Sequence, residues 1–201
     1  VVRENGLHLL VSSYHGHPAE QAAALRTMRG RVDGLLVMAP HVDESDALAQ
    51  SLGPLPTVLL DTQSTPGGYS SLGIDNYGGA VAMLQHLIEA GHRRIAFIAG
   101  PENNFDAVER LRGYREALAQ GLPRARPIVV QGDFGEASGH AAGRELLAAK
   151  VRPDAVFAAN DMMALGCLFA FSQAGVRVPQ DIALAGFDDI PLAHLVVPAL
   201  T

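Results

Sequence analysis

Two runs constrain this chain more than any other feature. Ile95-Ala96-Phe97-Ile98-Ala99 and Ala155-Val156-Phe157-Ala158-Ala159 are apolar at every position. A half-buried strand alternates apolar and polar residues; a run apolar on both faces must be covered on both. Helices on either side of a parallel sheet supply that cover. Further strands are expected at Leu7–Ser12, Gly34–Met38, Thr57–Asp61, Leu72–Asp75, Pro127–Gln131 and Ile182–Gly186. Helices are expected between them at Tyr77–Ala90, Ala107–Gln120 and Asp161–Ala174, each followed by a glycine (Gly91, Gly121, Gly175) placed to end it in the left-handed conformation.

Strands alternating with helices imply open parallel sheets joined by right-handed crossovers. Four strands precede Tyr77 and four follow it, so the expected fold is α/β, two doubly wound parallel-sheet lobes, residues 1–76 and 77–201. The Pro/Gly/Ser-rich stretch Thr62–Ser71 reads as a surface loop within the first lobe. That lobe opens almost directly on a strand, whereas a doubly wound sheet keeps its first strand in the middle. The first lobe is therefore read as incomplete, and the chain as a segment of a longer polypeptide.

Charge and motifs narrow the function. Of 201 residues, 15 are Lys or Arg and 21 Asp or Glu, a net charge of -6 without a basic cluster, which argues against nucleic-acid binding by this segment itself. Cys167 is the lone cysteine, so no intrachain disulfide forms, as suits a reducing compartment. No run approaches the ~20 apolar residues of a membrane span, and a cytoplasmic location is expected. There is no nucleophile elbow, phosphate loop or dinucleotide fingerprint. His15-Gly16-His17 lacks the companions of a metal site and reads as a loop. Neither an enzyme nor a cofactor or metal is expected.

In open α/β sheets ligands bind at the carboxyl ends of strands. Polar and aromatic residues gather there: Asp61, Phe134, Asn160, Asp188, and Arg110 one turn into a helix facing the same rim. Carboxylates, an amide, a guanidinium and an aromatic face suit a polyhydroxylated guest held between two lobes. Each has a plainer reading. Asn160 is placed to cap a helix, Arg110 to pair with Glu109 or Glu116, Asp188 to make a turn, Phe134 to pack, and Asp61 to sit in a loop. Cys167, within a very apolar helix, reads as a buried structural thiol.

Phrases spread along the chain then resemble the effector-binding domain of the LacI/GalR family of bacterial transcription regulators. Among them are Gly73-Ile74-Asp75-Asn76, Glu109-Arg110-Leu111-Arg112-Gly113-Tyr114, Ala159-Asn160-Asp161, Val178-Pro179-Gln180-Asp181-Ile182, Gly186-Phe187-Asp188-Asp189 and Pro198-Ala199-Leu200-Thr201. The resemblance implies a periplasmic-binding-protein-like fold and a homodimeric repressor core. A small-molecule effector, a sugar or a nucleoside-like compound, is expected in the interlobe cleft. It carries the ligand role onto Arg110, Asn160, Asp188, Phe134 and Asp61. Operator DNA would be bound only through an N-terminal helix-turn-helix that this sequence does not contain. The alternative is a periplasmic sugar-binding protein of a transport system; the Val178–Ile182 and Pro198–Thr201 phrases favour the regulator.

Overall fold

A computed structural model describes residues 3–13, 18–38, 52, 54–61 and 69–200. The chain divides between Ile74 and Asp75 into two units, each with its own core.

In the first unit, helix α1 (Pro18–Met28) accompanies strands β1 (Leu35–Met38), β2 (Thr57–Leu60) and β3 (Ser70–Leu72), which form a parallel sheet in that order. Gln21, Leu25 and Met28, spaced by one helical turn, make the buried stripe of α1. Leu25 joins Val37, Leu52 and Leu59 in a small core. Two expectations need correction. Residues 7–12 form no strand and are exposed throughout, because no described neighbour pairs with them. The third strand is Ser70–Leu72, not Leu72–Asp75. Asp75 is drawn out of the ladder because its carboxylate accepts from the Gly78 N–H at 2.8 Å, capping the next helix. His15 and His17, and most of the Thr62–Ser71 stretch, lie outside the described residues.

The second unit runs α2 (Asn76–Glu89), β4 (Ile95–Ala99), α3 (Phe105–Gly121), β5 (Ile128–Gln131), α4 (Glu136–Ala148), β6 (Ala155–Ala158), α5 (Asp161–Gln173) and β7 (Ala183–Ala185). Its strands are parallel in the order β5-β4-β6-β7. Every residue of β4, β6 and β7 is buried, as their two-faced apolar sequences require. Helices α2 and α3 pack together, as do α4 and α5. With right-handed crossovers and the strand order turning back across the sheet after β5, one pair covers each face. Helix α4 was not singled out in the sequence, since four of its residues are alanine and two glycine. Gly91 and Gly175 take the expected positive φ (100° and 71°), but Gly121 remains inside α3, which Leu122 ends instead.

One buried hydroxyl ties the sheet to α3. Tyr114 is fully buried, its ring stacked on Phe97 at 4.9 Å between centroids. Its Oη donates to the Ile95 carbonyl at 2.9 Å and accepts from the Ile128 N–H at 3.1 Å, joining β4 to the start of β5. Burial pushes the phenol's pKa up, so it stays a neutral donor. Tyr114→Phe keeps the ring and removes the hydroxyl that bridges the Ile95 carbonyl and the Ile128 N–H. Such a hydrogen bond contributes about 0.5–1.5 kcal/mol; urea unfolding is expected to show a loss of about 1–2 kcal/mol at unchanged m-value.

Candidate functional site

The strand order of the second unit fixes where its side chains can converge. The chain leaves β4 for β5 on one side and then crosses to β6 on the other, so β4/β6 is a topological switch point, where open α/β sheets leave a crevice at the strands' carboxyl ends. Helices α3, α4 and α5 all begin on this rim, presenting the positive ends of their dipoles.

Arg110 lies at the centre. It is 4% exposed, an unusual state for a guanidinium. Its Nη1 donates to the carbonyl of Ala159, the last residue before α5's cap, at 2.6 Å. Nη1 also lies 3.1 Å from Asp188 Oδ1, and Nε donates to Asn76 Oδ1 at 2.8 Å. The guanidinium carbon stands 3.9 Å from the centroid of the Phe187 ring and 6.0 Å from that of Phe134. The plainer reading of Arg110 as a surface partner of Glu109 or Glu116 is overturned: those carboxylates are taken by Arg112.

Asp188 comes from the opposite side of the switch point, on the loop after β7. Its side chain is 37% exposed. Burial pushes the carboxyl's pKa up; Arg110 pulls it back, and Asp161 beyond raises it again. Asp161 itself is buried and accepts from the Ile190 N–H at 2.9 Å, which pins the loop carrying Asp188.

Asn160 does cap α5: its Oδ1 accepts from the Met163 N–H at 3.0 Å. Its Nδ2 donates to the Phe134 carbonyl at 3.0 Å, so the same amide holds the aromatic loop to the rim. An amide oxygen has two lone pairs and an amide nitrogen two hydrogens, so a cap retains bonding capacity for a guest. Phe134 packs against the core and also lies over Gly100, where an added Cβ would come within 2.5 Å of its ring. Beside it, the Ser138 hydroxyl and the Gly135 N–H hold the Asp133 carboxyl below the usual carboxylate range.

The structure thus brings four of the five expected residues together: Arg110, Asn160, Asp188 and Phe134. Asp61 follows β2 in the first unit, its N–H donating to the Leu72 carbonyl at 3.0 Å. Sequence reasoning passed over Asn76, Asp133 and Phe187, although Phe187 directly precedes Asp188. Backbone conformation marks the second unit's rim at Phe134, Asp188 and Asp189. The described non-glycine residues with positive φ are Asp61 (49°), Phe134 (70°), Asp188 (106°) and Asp189 (54°). Such conformations are costly and cluster at binding sites. Among the described residues no group of three or more His, Cys, Asp or Glu could hold a metal, and no helix is long and apolar enough to cross a membrane. Cys167 is buried among α5's apolar neighbours, which pushes its thiol up to about 12 and keeps it protonated.

Comparison with known proteins agrees with this fold. Residues 84–201 match the family model described as a periplasmic binding protein-like domain. The HTH-type transcriptional regulator CelR of Thermobifida fusca is 43% identical over 183 residues, 85% of this chain and 51% of that protein. The crystal structure of a sugar-binding LacI-family transcriptional regulator from Escherichia coli, complexed with phosphate, superposes with a TM-score of 0.83 at 30% identity, covering 98% of this chain and 72% of that one. A complex of the transcriptional regulator CelR with cellobiose superposes with a TM-score of 0.81 at 36% identity, covering 98% and 62%. The chain spans about half the length of the curated CelR relative, 51% of it.

Proposed function

The chain belongs to the LacI family of transcriptional regulators, and from that premise we propose that it is the effector-binding core of a ligand-responsive repressor whose effector is a sugar. The observation that carries the reading is Arg110: a nearly buried guanidinium at the β4/β6 switch point, facing Asp188 and lying on Phe187. Sugar hydroxyls both donate and accept. A carboxylate and a guanidinium side by side recognise such groups by charge-assisted hydrogen bonds, and Phe134 offers an apolar face for a ring. Asn160, Asp188 and Phe134 are proposed as the remaining contacts from the second unit, and Asp61 as one from the first.

The effector acts by binding one conformational state more tightly than another. The intact protein is proposed to be a cytoplasmic homodimer that binds operator DNA through residues outside this sequence, and to carry no catalytic activity. The relatives named above are regulators, which favours this reading over a transport-associated sugar-binding protein.

The test is a thermal-shift and calorimetric titration of the intact protein with a panel of mono- and disaccharides that includes cellobiose. A ligand at one hundred times its Kd stabilises the native state by about 2.7 kcal/mol, so a clear rise in Tm is expected for at least one sugar. No shift with any sugar, or turnover of one of them, overturns the proposal.

A further inference from the structure

Arg110 is bonded to a second buried polar side chain, from the neighbouring helix. Asn76 is the first residue of α2, one position past Asp75, where the second unit begins, and it is 3% exposed. Its Oδ1 accepts from Arg110 Nε at 2.8 Å, and its Nδ2 donates to Asp106 Oδ1, also at 2.8 Å. The polarity of this amide is forced. A guanidinium only donates and an ionised carboxylate only accepts, so Oδ1 must face Arg110 and Nδ2 must face Asp106. Asp106 lies in the first turn of α3, four residues before Arg110, so the relay spans the packed helices α2 and α3.

Arg110 is then held at Nε by Asn76, at Nη1 by the Ala159 carbonyl, and on one face by the Phe187 ring. A planar group fixed along one edge and over one face cannot turn about its long stem. Ordering a rotamer-rich side chain opposes binding unless it has been ordered beforehand.

We infer that Asn76, itself oriented by Asp106, is a positioning residue that holds the Arg110 guanidinium ready for ligand. The inference rests on the proposal that Arg110 contacts the effector.

The experiment uses the intact protein, labelled with 15N-arginine. The Arg110 Nε–H resonance is assigned by its loss in Arg110→Lys, and affinity is measured for cellobiose or for the panel sugar giving the largest thermal shift. The parent should show a sharp, slowly exchanging Nε–H. Asn76→Ala should lose that signal to solvent exchange and weaken sugar binding about tenfold, the factor one hydrogen bond to a charged group is worth. Exchanging the two groups in the double variant N76D/D106N keeps an acceptor for Nε and a donor between the pair; it should retain the resonance and most of the affinity. If Asn76→Ala does not fold, Asn76→Ser, too short to reach Arg110, replaces it.

A role confined to stability would lower Tm in Asn76→Ala and leave the resonance in place, which overturns the inference. So does a double variant that behaves like Asn76→Ala, or an unchanged affinity in Asn76→Ala where Arg110→Ala has lost binding. An Arg110→Ala protein that still binds the sugar normally refutes the site reading as well, and the resonance data tell the two failures apart.

Discussion

Arg110→Met is expected to weaken sugar binding by about 1.5–3 kcal/mol, the range for a hydrogen bond to a charged group, or roughly 10- to 150-fold in Kd. It is also expected to destabilise the second unit. Methionine fills much of the volume of the arginine stem, so the loss is polar. The buried Asn76 Oδ1 and the Ala159 carbonyl each lose their donor. Each buried group that loses a donor costs about 1–3 kcal/mol, giving an expected loss of about 2–6 kcal/mol in chemical denaturation. The Asp188 ion pair adds less, because that carboxylate is 37% exposed and screened.

The variant should also change the pH dependence. In the parent, burial raises the Asp188 pKa above its ordinary value of 3.8 while Arg110 opposes the rise. A carboxyl with a raised folded pKa binds more protons folded than unfolded, so its contribution to stability falls as pH rises through that folded value. Removing Arg110 takes away the opposing charge and raises the folded pKa further. Arg110→Met should therefore lose more stability at pH 7 than at pH 4. Equal losses at both values, with unchanged sugar affinity, would remove Arg110 and Asp188 from the site.

Much of this architecture was legible in the sequence, for a physical reason. Strands apolar on both faces, such as Ile95–Ala99 and Ala155–Ala158, have one stable environment, and the helices between them carry their stripes openly. What was missed depended on partners. Residues 7–12 have strand composition but no described neighbour, and a strand is a property of a pair. Helix α4 is poor in large apolar residues because it approaches α5 through its glycines and alanines. Four of the proposed site residues could be named because strand ends and helix starts in this fold face one rim, and because Arg110, Asn160 and Asp188 lie in the family phrases. Asn76 and Asp106 could not: they are 30 residues apart and meet only when α2 packs on α3. Pairing Arg110 with its sequence neighbours failed for a related reason. The i,i+3 and i,i+4 carboxylates on that helix serve Arg112 on the outer face, while Arg110 points inward.

The second large effect is expected where α4 meets α5. Gly166→Val should destabilise the second unit by at least about 3 kcal/mol, the upper end of what overpacking a filled interior costs. An added Cβ at Gly166 would stand 2.7 Å from the His140 backbone nitrogen and 2.9 Å from the Glu136 carbonyl carbon, and closer still to the Glu136 oxygen. These are main-chain atoms of α4, which no rotamer change can move. Facing them, Gly139 leaves no room for a Cβ against the Met163 backbone, and Gly143 would place one 3.0 Å from Ala170 Cβ and 3.2 Å from Cys167 Sγ. The two helices therefore touch backbone to backbone along glycines and alanines one turn apart. To admit valine they must separate, pulling Ala142, Leu146, Met163 and Cys167 out of contact in a core where each is nearly or wholly buried. Helix propensity opposes this by only a few tenths of a kcal/mol, since valine is a somewhat better helix former than glycine. Packing decides the sign. Scanning calorimetry should show a Tm lowered by about 10 °C for a unit of this size, with Ser172→Ala on the exposed end of α5 as a control that stays within about 0.5 kcal/mol of the parent. A Gly166→Val protein melting with the parent would mean that the two helices are not in backbone contact, and α5, which carries Asn160 at its cap, would then have to be placed differently against the rim.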